Sequence, residues 1–436
     1  MVSEARGFII GAPRSGSGKT TLTLGLIHAL SGRGYGVTAA KTGPDYIDLA
    51  HLGAAAGRQA VNLDPWAMSP DRLRHLAHRQ AEGADLLVVE GVMGLFDGAA
   101  DGRGSTADLA MTLGLPVVLV VDAGRQSQSV AALVHGFATW RAGLEVAGVI
   151  LNRVATTRHE RLLTRALAET GVRLIGAVPR DAQLAMPERH LGLVLPGEVE
   201  GMAALRERAG AMARDYLDLE ALVTLARPVG EAASKAAGLA PLGQRIAVAR
   251  DAAFAFLYPH ILGDWRAAGA EILPFSPLAD EGPDEGADAV FLPGGYPELH
   301  AAELSAARNF ASGLRAAAER GALVYGECGG FMAMGEVLFD KEGRPHEMAG
   351  LLPVITRIDR PRRVLGYRKL AHEGVLPWPA RLMGHEYHYS SSAPFDGPPL
   401  FIATDAEGNA QPPMGLRIGR VMGSYAHVID ACSEPA

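Results

Sequence analysis

The sequence predicts an α/β protein of two domains, each built on a parallel sheet. Short apolar runs rich in Val, Ile and Leu alternate with Ala-, Leu- and Arg-rich stretches of helical pattern along the whole chain. The runs are apolar throughout, which is typical of parallel strands covered by helices on both faces. A chain of 436 residues exceeds one ordinary core, so two domains are expected.

The composition changes between two series of predicted strands. Residues 227–244, RPVGEAASKAAGLAPLGQ, are rich in Gly, Ala and Pro, which predicts a linker between domains at 1–226 and 245–436. The first domain's strands are predicted from FIIGAP, VTAAKTG, DLLVVEG, VVLVVDAG, AGVILNRV and LIGAVPRD. Those of the second are predicted from RIAVARD, EILPFSP, AVFLPGG, ALVYGECGG, RLMGHEYHYS, FIATD and VMGSYAHV.

Composition argues against several classes of protein. The net charge of -7 is unlike that of a general nucleic-acid binder, which needs clustered Lys and Arg. The apolar run at 115–121 is far shorter than the ~20 residues that a membrane helix requires. Two cysteines, Cys328 and Cys432, and no visible secretion signal fit a reducing cytoplasm. We expect a soluble cytoplasmic protein.

The segment GAPRSGSGKTT, residues 11–21, has the features of a phosphate-binding loop. It follows the first predicted strand and opens a helical pattern, and Lys19 can reach the terminal phosphates of a nucleotide. Pro13 stands where the usual motif has its first glycine. Asn152, which ends a later strand, could pair with an adenine edge or simply form a turn. The expected ATP contacts are Gly16, Ser17, Gly18, Lys19, Thr20, Thr21 and Asn152.

Acidic residues follow two further strands of the first domain. KTGPDYIDLAHL contains Lys41, Asp45 and Asp48, and LLVVEGVMGLFDG contains Glu90 and Asp97. The carboxyl ends of parallel strands meet at one edge of a sheet, so these side chains are expected to converge on the phosphates. Each Asp taken singly could instead cap a helix or form a turn.

We assign roles to these acids as hypotheses. Mg²⁺ is expected on the Thr20 hydroxyl and the carboxylates of Asp45 and Glu90, because hard cations take oxygen ligands. The residues expected to face the substrate are Asp45, Tyr46, Asp48 and Asp97. The sequence allows either a role in the site or a place on the surface for Asp122, Arg153 and Arg180.

The second domain contains a candidate nucleophile at a sharp turn. In ALVYGECGGFMAMG, Cys328 lies between glycines at the predicted junction of a strand and a helix, which resembles a nucleophile elbow. A helix N-terminus is expected to lower the pKa of its thiol. Backbone N–H groups of Gly294, Gly295 and Gly329 could form an oxyanion hole.

A general base is also needed, and three histidines are candidates. His427 is predicted to close a late strand and is the preferred base, whereas His385 and His388 in GHEYHYS could contact substrate or serve structure. Two histidines three apart in a strand point to opposite faces, which argues against a shared metal.

Together these stretches resemble the cobyrinic and hydrogenobyrinic acid a,c-diamide synthase family. The match covers essentially the whole chain and rests on APRSGSGKTT, KTGPDYID, VVEGVMGLFDG, LPGGYPE, YGECGGF and GHEYHYS. The resemblance implies an N-terminal ATP-dependent amidoligase domain of the dethiobiotin synthetase type. It also implies a C-terminal class I glutaminase domain with a flavodoxin-like fold.

The implied reaction is amidation of the a and c side-chain carboxylates of a corrin, with ATP, Mg²⁺ and glutamine. The implied partners are the corrin and glutamine, with a homodimer as the candidate assembly. Most class I glutaminases carry Glu two residues after the catalytic His. Ile429 stands there in this chain, so the resemblance implies a Cys328–His427 dyad. Arg14 replaces the signature lysine of related partition ATPases.

The sequence is also compatible with two other functions. The chain could amidate another tetrapyrrole, such as nickel sirohydrochlorin, or other corrin side chains. It could also be a partition-type ATPase switch with an inactive second domain, although such a switch needs no thiol nucleophile.

Overall fold

A computed structural model describes residues 5–186, 188–189, 192–198, 201–230, 238–392 and 397–433. The chain divides into two compact units, unit 1 at Met1–Ala236 and unit 2 at Ala237–Ala436. The division lies within the segment 227–244, whose residues 231–237 are outside the described part of the chain. None of the described helices has the length and apolar character needed to span a bilayer.

Unit 1 is built on a parallel sheet with helices along its chain. The strands are β1 Arg6–Gly11, β2 Val37–Thr42, β3 Val61–Leu63, β4 Leu86–Glu90, β5 Val117–Asp122, β6 Val146–Val154, β7 Arg173–Pro179, β8 Glu188–Arg189, β9 Gly192–Leu193 and β10 Arg227–Pro228. The helices are α1 Lys19–Gly32, α2 Ile47–Ala56, α3 Pro70–Ala81, α4 Thr106–Leu113, α5 Val130–Thr139, α6 Thr157–Leu167, α7 Met202–Tyr216 and α8 Leu219–Leu225.

The strand order places β1 at the centre of this sheet. The order is β3-β2-β4-β1-β5-β6-β7, all parallel, and β10 pairs antiparallel with the start of β1. The central strands are buried over nearly their whole length, because their side chains are apolar on both faces. The loops after β1, β2, β4 and β6 therefore lie at one edge of the sheet, where ligands of α/β sheets bind.

Unit 2 contains a second α/β sheet and two smaller sheets. The strands are β11 Arg245–Ala249, β12 Glu271–Phe275, β13 Ala289–Leu292, β14 Leu323–Glu327, β15 Val337–Phe339, β16 Pro345–Glu347, β17 Ile355–Arg357, β18 Val364–Ala371, β19 Arg381–His388, β20 Ser391–Ser392, β21 Ile402–Thr404, β22 Leu416–Ile418, β23 Val421–Ser424 and β24 His427–Ala431. The helices are α9 Pro259–Ala267, α10 Ala301–Ala306, α11 Arg308–Glu319 and α12 Gly329–Ala333.

The main sheet of unit 2 has the flavodoxin-like strand order. Its order is β12-β11-β13-β14-β23-β22, in which the first five strands are parallel and follow the pattern 2-1-3-4-5. The antiparallel sheet β21-β18-β19-β24 carries the GHEYHYS segment and the residue His427. His427 was predicted to close the strand of VMGSYAHV, but β23 ends at Ser424 and His427 begins β24. The predicted fold class of two α/β domains is confirmed.

Candidate functional site

The phosphate-binding loop of unit 1 depends on two glycines in left-handed conformation. Gly16 has φ 75° and Gly18 has φ 91°, a region that other residues rarely adopt. A side chain at Gly18 would also collide with the amide nitrogen of Asn152. The loop runs from β1 into α1, whose first residue is Lys19. Free backbone N–H groups at a helix start of this kind are suited to bind phosphate.

Lys19 is held by the loop that follows β4. Its Nζ donates a hydrogen bond of 2.6 Å to the carbonyl oxygen of Met93, which itself has φ 46°. Burial, reinforced by the nearby charge of Lys41, lowers the pKa of Lys19 to about 8. An arriving phosphate would replace the neutral carbonyl with a charged acceptor, which makes a stronger hydrogen bond.

Glu90 ends β4 and is fully buried beside the phosphate-binding loop. Its Oε1 accepts hydrogen bonds from Thr20 Oγ1 at 2.9 Å and from Lys41 Nζ at 2.6 Å. Within the described part of the chain, Glu90 Oε2 has no hydrogen-bond partner. A buried carboxylate oxygen without a partner is costly, and a Mg²⁺ ion beside Thr20 would satisfy it. The residues present thus fit the cation.

Lys41 connects Glu90 with a second carboxylate. Its Nζ donates to Asp48 Oδ2 at 2.6 Å, and the side chain of Lys41 is 3% exposed. Burial alone would lower the pKa of Lys41, but the carboxylates of Asp48 and Glu90 raise it above its ordinary value. Two of the predicted acids therefore meet on one buried ammonium group.

The other predicted acids of unit 1 are tied to backbone amides. Asp45 Oδ1 accepts from the N–H groups of Ile47 and Asp48 at the start of α2, each at 2.9 Å. Burial, with the charge of Asp48, raises the pKa of Asp45 to about 7. Asp97 Oδ2 accepts from the Gly94 N–H at 2.8 Å, in the loop that holds Lys19. The buried Tyr46 precedes α2.

Asn152 supports the phosphate-binding loop through its side-chain amide. Its Nδ2 donates to the Ser17 carbonyl and its Oδ1 accepts from the Arg153 N–H, both at 2.9 Å. Arg153 has φ 59°, and its Nη1 donates to Asp122 at 2.6 Å and to the Gly16 carbonyl at 2.9 Å. Each amide atom of Asn152 keeps capacity for one more hydrogen bond.

A cavity of about 610 Å³ lies beside this loop. Its lining includes Gly18, Thr21, Asn152, Arg153 and Arg180. The volume is in the range of small-molecule sites, so it is large enough for a nucleoside. The residues that the sequence left open between site and surface, Asp122, Arg153 and Arg180, all line it.

In unit 2, Cys328 occupies a sharp turn between β14 and α12. Its backbone has φ 46° and ψ −105°, and its N–H donates to the Ser424 carbonyl on β23 at 2.8 Å. A residue other than glycine in this conformation is strained, which is common where a nucleophile is presented.

The three predicted oxyanion glycines lie around this turn. A side chain at Gly329 would come within 3.0 Å of the Gly295 nitrogen, and one at Gly294 would collide with the imidazole of His427. Gly295 itself packs against the Ala253 carbonyl with no room for a methyl group. The structure therefore brings Gly294, Gly295 and Gly329 together with His427 at the elbow that carries Cys328.

The two candidate reactive groups, the Cys328 thiol and the His427 imidazole, are electrically neutral in this environment. Burial raises the pKa of the Cys328 thiol, the Glu298 carboxylate raises it further, and the Gly329 N–H offsets this only in part. The predicted lowering of the thiol pKa by a helix N-terminus is therefore wrong for this conformation, because burial outweighs the effect of the short helix α12. Burial, with the nearby His385 and His388, holds the pKa of His427 well below its ordinary value.

The GHEYHYS histidines take two different positions. His385 is paired with His427 in the β19–β24 ladder, and their rings stack with centroids 5.0 Å apart. His388 stacks on Tyr425 at 4.5 Å and shares a hydrogen bond of 2.9 Å with Ser390. Glu386 between them pairs with Arg368 at 2.7 Å.

Lys41 and Glu327 are buried charged residues that received no role from the sequence. Lys41 is the penultimate residue of β2 and Glu327 the last residue of β14, and a charge at the end of a strand is the signal that singled out Glu90. Glu327 Oε2 lies 3.9 Å from His427 Nδ1, a proximity that depends on pairing between distant segments.

Comparison with known proteins agrees with this division of the chain. Residues 8–194 match the family model of the CobQ/CobB/MinD/ParA nucleotide binding domain. Residues 245–434 match that of the CobB/CobQ-like glutamine amidotransferase domain.

Full-length relatives are also similar. A protein of Brucella abortus biovar 1 (strain 9-941) is 53% identical over 435 residues, covering 99% of this chain and all of its own. One of Rhizobium meliloti (strain 1021) is 51% identical and covers 97% of this chain and 99% of its own. One of Mesorhizobium japonicum is 49% identical and covers 98% of this chain and 99% of its own. All three are named hydrogenobyrinate a,c-diamide synthase.

Proposed function

Because the chain belongs to the hydrogenobyrinate a,c-diamide synthase family, we propose that it amidates the a and c carboxylates of metal-free hydrogenobyrinate. It is a glutamine-dependent ligase of cobalamin biosynthesis, with a nucleotide-binding domain and a glutamine amidotransferase domain. The metal-free corrin is the substrate that the names of its relatives indicate.

Unit 2 would release ammonia from glutamine. The sulfur of Cys328 attacks the carboxamide carbon, its proton passes to His427, and backbone N–H groups near Gly295 and Gly329 stabilise the oxyanion. His427 then protonates the departing nitrogen, which leaves as ammonia. Water hydrolyses the thioester to glutamate and restores the thiol. The glycine-lined elbow around the strained Cys328 supports this assignment.

Unit 1 would activate the corrin carboxylate. A carboxylate resists ammonia because hydroxide leaves poorly, whereas transfer of the terminal phosphoryl group of ATP to its oxygen creates a good leaving group. Ammonia then attacks the acyl carbon and phosphate departs, once for each of the two side chains. Lys19 and the N-terminus of α1 would offset phosphate charge, and Asp48 and Asp97 would face the substrate.

We also propose that Thr20, Glu90 and Asp45 hold Mg²⁺, which would neutralise phosphate charge. This proposal is supported by the Oε2 atom of Glu90, which has no hydrogen-bond partner in the described part of the chain, and by the 2.9 Å hydrogen bond from Thr20 to Glu90. Asn152 would brace the loop and present its remaining amide capacity to the adenine, next to the 610 Å³ cavity.

One observation carries the proposal: a single chain holds both a phosphate-binding loop with Lys19 and a strained, glycine-lined Cys328. An ATPase switch needs only the first of these. An ammonia-producing ligase needs both.

The test is an amidation assay on a small panel of tetrapyrroles. Hydrogenobyrinic acid, cobyrinic acid and sirohydrochlorin are each incubated with the full chain, MgATP and glutamine, and products are resolved by mass spectrometry. We expect hydrogenobyrinic acid to gain two amide groups with release of ADP, phosphate and glutamate. ATP turnover that proceeds without any corrin or glutamine would contradict the proposal, and preferred amidation of another panel member would change its substrate.

A further inference from the structure

The carboxyl group of Glu327 lies beside His427, and Glu327 is the neighbour of Cys328 in the chain. Glu327 is the last residue of β14 and directly precedes Cys328. The residue is 3% exposed, and its Oε2 lies 3.9 Å from Nδ1 of His427. A carboxyl group buried this deeply needs compensating partners, and these identify what it does.

The other oxygen of Glu327 fixes the strand that carries His427. Oε1 accepts a hydrogen bond of 3.1 Å from the Val428 N–H and one of 2.9 Å from the Tyr325 hydroxyl. Val428 follows His427 at the start of β24, which belongs to a different sheet from β14. One carboxyl group thus connects the strand of the nucleophile to the strand of the base.

Two further titratable groups act on His427, and both are histidines rather than carboxyl groups. His385, on β19, stacks on the imidazole, and burial lowers the pKa of His385 to about 3, so it is neutral. His388 also acts on His427 from the same strand. The position two residues after His427 is the buried apolar Ile429.

Three carboxylates raise the pKa of the Cys328 thiol: Glu298, Glu386 and Glu327 itself. Glu386 and Glu298 both act on the Cys328 thiol, and Glu386 is paired with Arg368 at 2.7 Å. Glu327 faces Tyr325 on its own strand and His427 on β24.

We propose that Glu327 is the positioning residue of the glutaminase site, orienting His427 and stabilising its imidazolium form. The inference rests on the proposed function of unit 2. The S–H bond of Cys328 breaks, its proton moves to Nε2 of His427, and the electron pair stays on sulfur to attack the glutamine carboxamide. The positive charge that forms on the imidazole is then attracted by the carboxylate beside Nδ1. In this proposal Glu327 acts on the reaction through His427, and its charge also raises the pKa of the Cys328 thiol.

The arrangement predicts a characteristic pH profile. Burial raises the pKa of Glu327 to about 8, against the opposing hydrogen bonds from Val428 and Tyr325. Its carboxylate form therefore becomes populated as the pH rises through about 8, and support for the imidazolium rises with it. The thiol of Cys328, whose pKa is also raised, contributes a separate alkaline increase.

The Glu327→Gln variant of the full chain separates the contribution of Glu327 to the pH profile from that of Cys328. The amide keeps an oxygen that can accept from Val428 and Tyr325, but it cannot ionise. Glutamate release from glutamine is measured from pH 6.5 to 9.5, and alkylation of Cys328 by iodoacetamide is followed by peptide mapping. We expect kcat to fall roughly tenfold or more, with loss of the limb near pH 8. Alkylation of Cys328 should not be slower, because the Glu327 charge that is removed raises the pKa of the thiol. Amidation driven by ammonium salt should be unchanged.

Two further variants serve as controls for Glu327→Gln. Tyr325→Phe removes the other donor to the same carboxyl group and should change kcat by less than about threefold. Glu327→Asp keeps a carboxylate but withdraws it from His427, so kcat should fall while a titration limb remains. This variant also provides the test if Glu327→Gln does not fold.

Three outcomes would overturn the inference. One is a Glu327→Gln protein with the kcat and pH profile of the unaltered chain. Another is loss of activity in Glu327→Ala but not in Glu327→Gln. This result would mean that Glu327 only anchors the backbone of β24 through the Val428 N–H. The third is Glu327→Asp with unchanged kcat and profile. If the unaltered chain releases no glutamate from glutamine, the proposed function fails instead.

Discussion

Individual buried charges carry much of the candidate chemistry of this chain. Lys41 joins Asp48 and Glu90 in unit 1, and Glu327 joins the strands of Cys328 and His427 in unit 2. The sequence marks each as a charged residue in an apolar strand but does not reveal its partner. The partner depends on which strands become neighbours and in what register, and these are tertiary properties.

Asp45 should couple Mg²⁺ binding to the release of a proton. The pKa of Asp45 is raised to about 7, so the group holds a proton below pH 7 and loses it above. Because Mg²⁺ requires the carboxylate, MgATP should bind more tightly as the pH rises through 7. Calorimetry in two buffers of different ionisation enthalpy should detect about one proton released at pH 6 and almost none at pH 8.5.

The control for this measurement is Asp45→Asn. Its amide oxygen can still cap α2 through the N–H groups of Ile47 and Asp48, but it has no proton to release. Asp71→Asn, an exposed position on α3 that pairs with Arg74, serves as a neutral comparison. Proton release that persists in Asp45→Asn would assign the titration to another group.

Most of the strands that the sequence predicted correctly contain a short apolar run, although β19 was also predicted despite its polar sequence RLMGHEYH. Six of the unit 1 strands, β1, β2, β4, β5, β6 and β7, were all predicted. β3 was missed because VNL is only three residues long, yet its Asn62 donates to the carbonyls of Gly43 and Asp45 and so fixes the loop that carries Asp45. β15 to β18 were missed because they are short or carry many polar residues, as in VLGYRKLA.

The candidate site, like the strands, could be predicted from the sequence only where the sequence itself carries a local signal. Glycines such as Gly16 and Gly18 are visible in a sequence because special backbone conformations demand them. The contact between His385 and His427 was not visible, because it follows from the register of two strands with a bulge between Met383 and Gly384.

The β19–β24 ladder should be sensitive to a single methyl group. A Cβ at Gly384 would lie 2.6 Å from the His427 carbonyl oxygen, so Gly384→Ala must displace the start of β24. We expect glutamine-dependent amidation to fall ~10–10²-fold, because small displacements of catalytic groups are costly. Ammonium-dependent amidation of the same variant should remain near normal. Equal loss with both nitrogen sources would indicate general misfolding of the protein.

Both units place their candidate site at the carboxyl ends of parallel strands. In unit 1 these are the loops after β1, β2, β4 and β6, and in unit 2 the loops after β13 and β14. Each site has its own backbone scaffold and its own reactive groups. The two half-reactions should therefore respond separately to substitution.

The choice of nitrogen source should distinguish the two sites. Cys328→Ala should abolish glutamine-dependent amidation and leave the ammonium-dependent reaction intact, since the thiol serves only to release ammonia in the proposed mechanism. His427→Asn should do the same less severely, by ~10²–10⁴-fold. Lys19→Ala should abolish amidation from both sources, because in the proposed mechanism phosphoryl transfer comes before attack by ammonia from either source. Rates are compared at fixed ATP and corrin. Loss of both reactions in a folded Cys328→Ala protein would argue against two separate sites.

The pairing of β10 with β1 has a consequence for synthesis of the chain on the ribosome. Arg227 and Pro228 pair with Gly7 and Arg6, so the first strand of unit 1 receives its last partner roughly 220 residues after it was made. At ~5–20 residues per second, that interval is roughly 10–40 s. Throughout it the start of the central strand remains available to chaperones and to other nascent chains. Folding of unit 1 is complete only when translation has reached the beginning of unit 2.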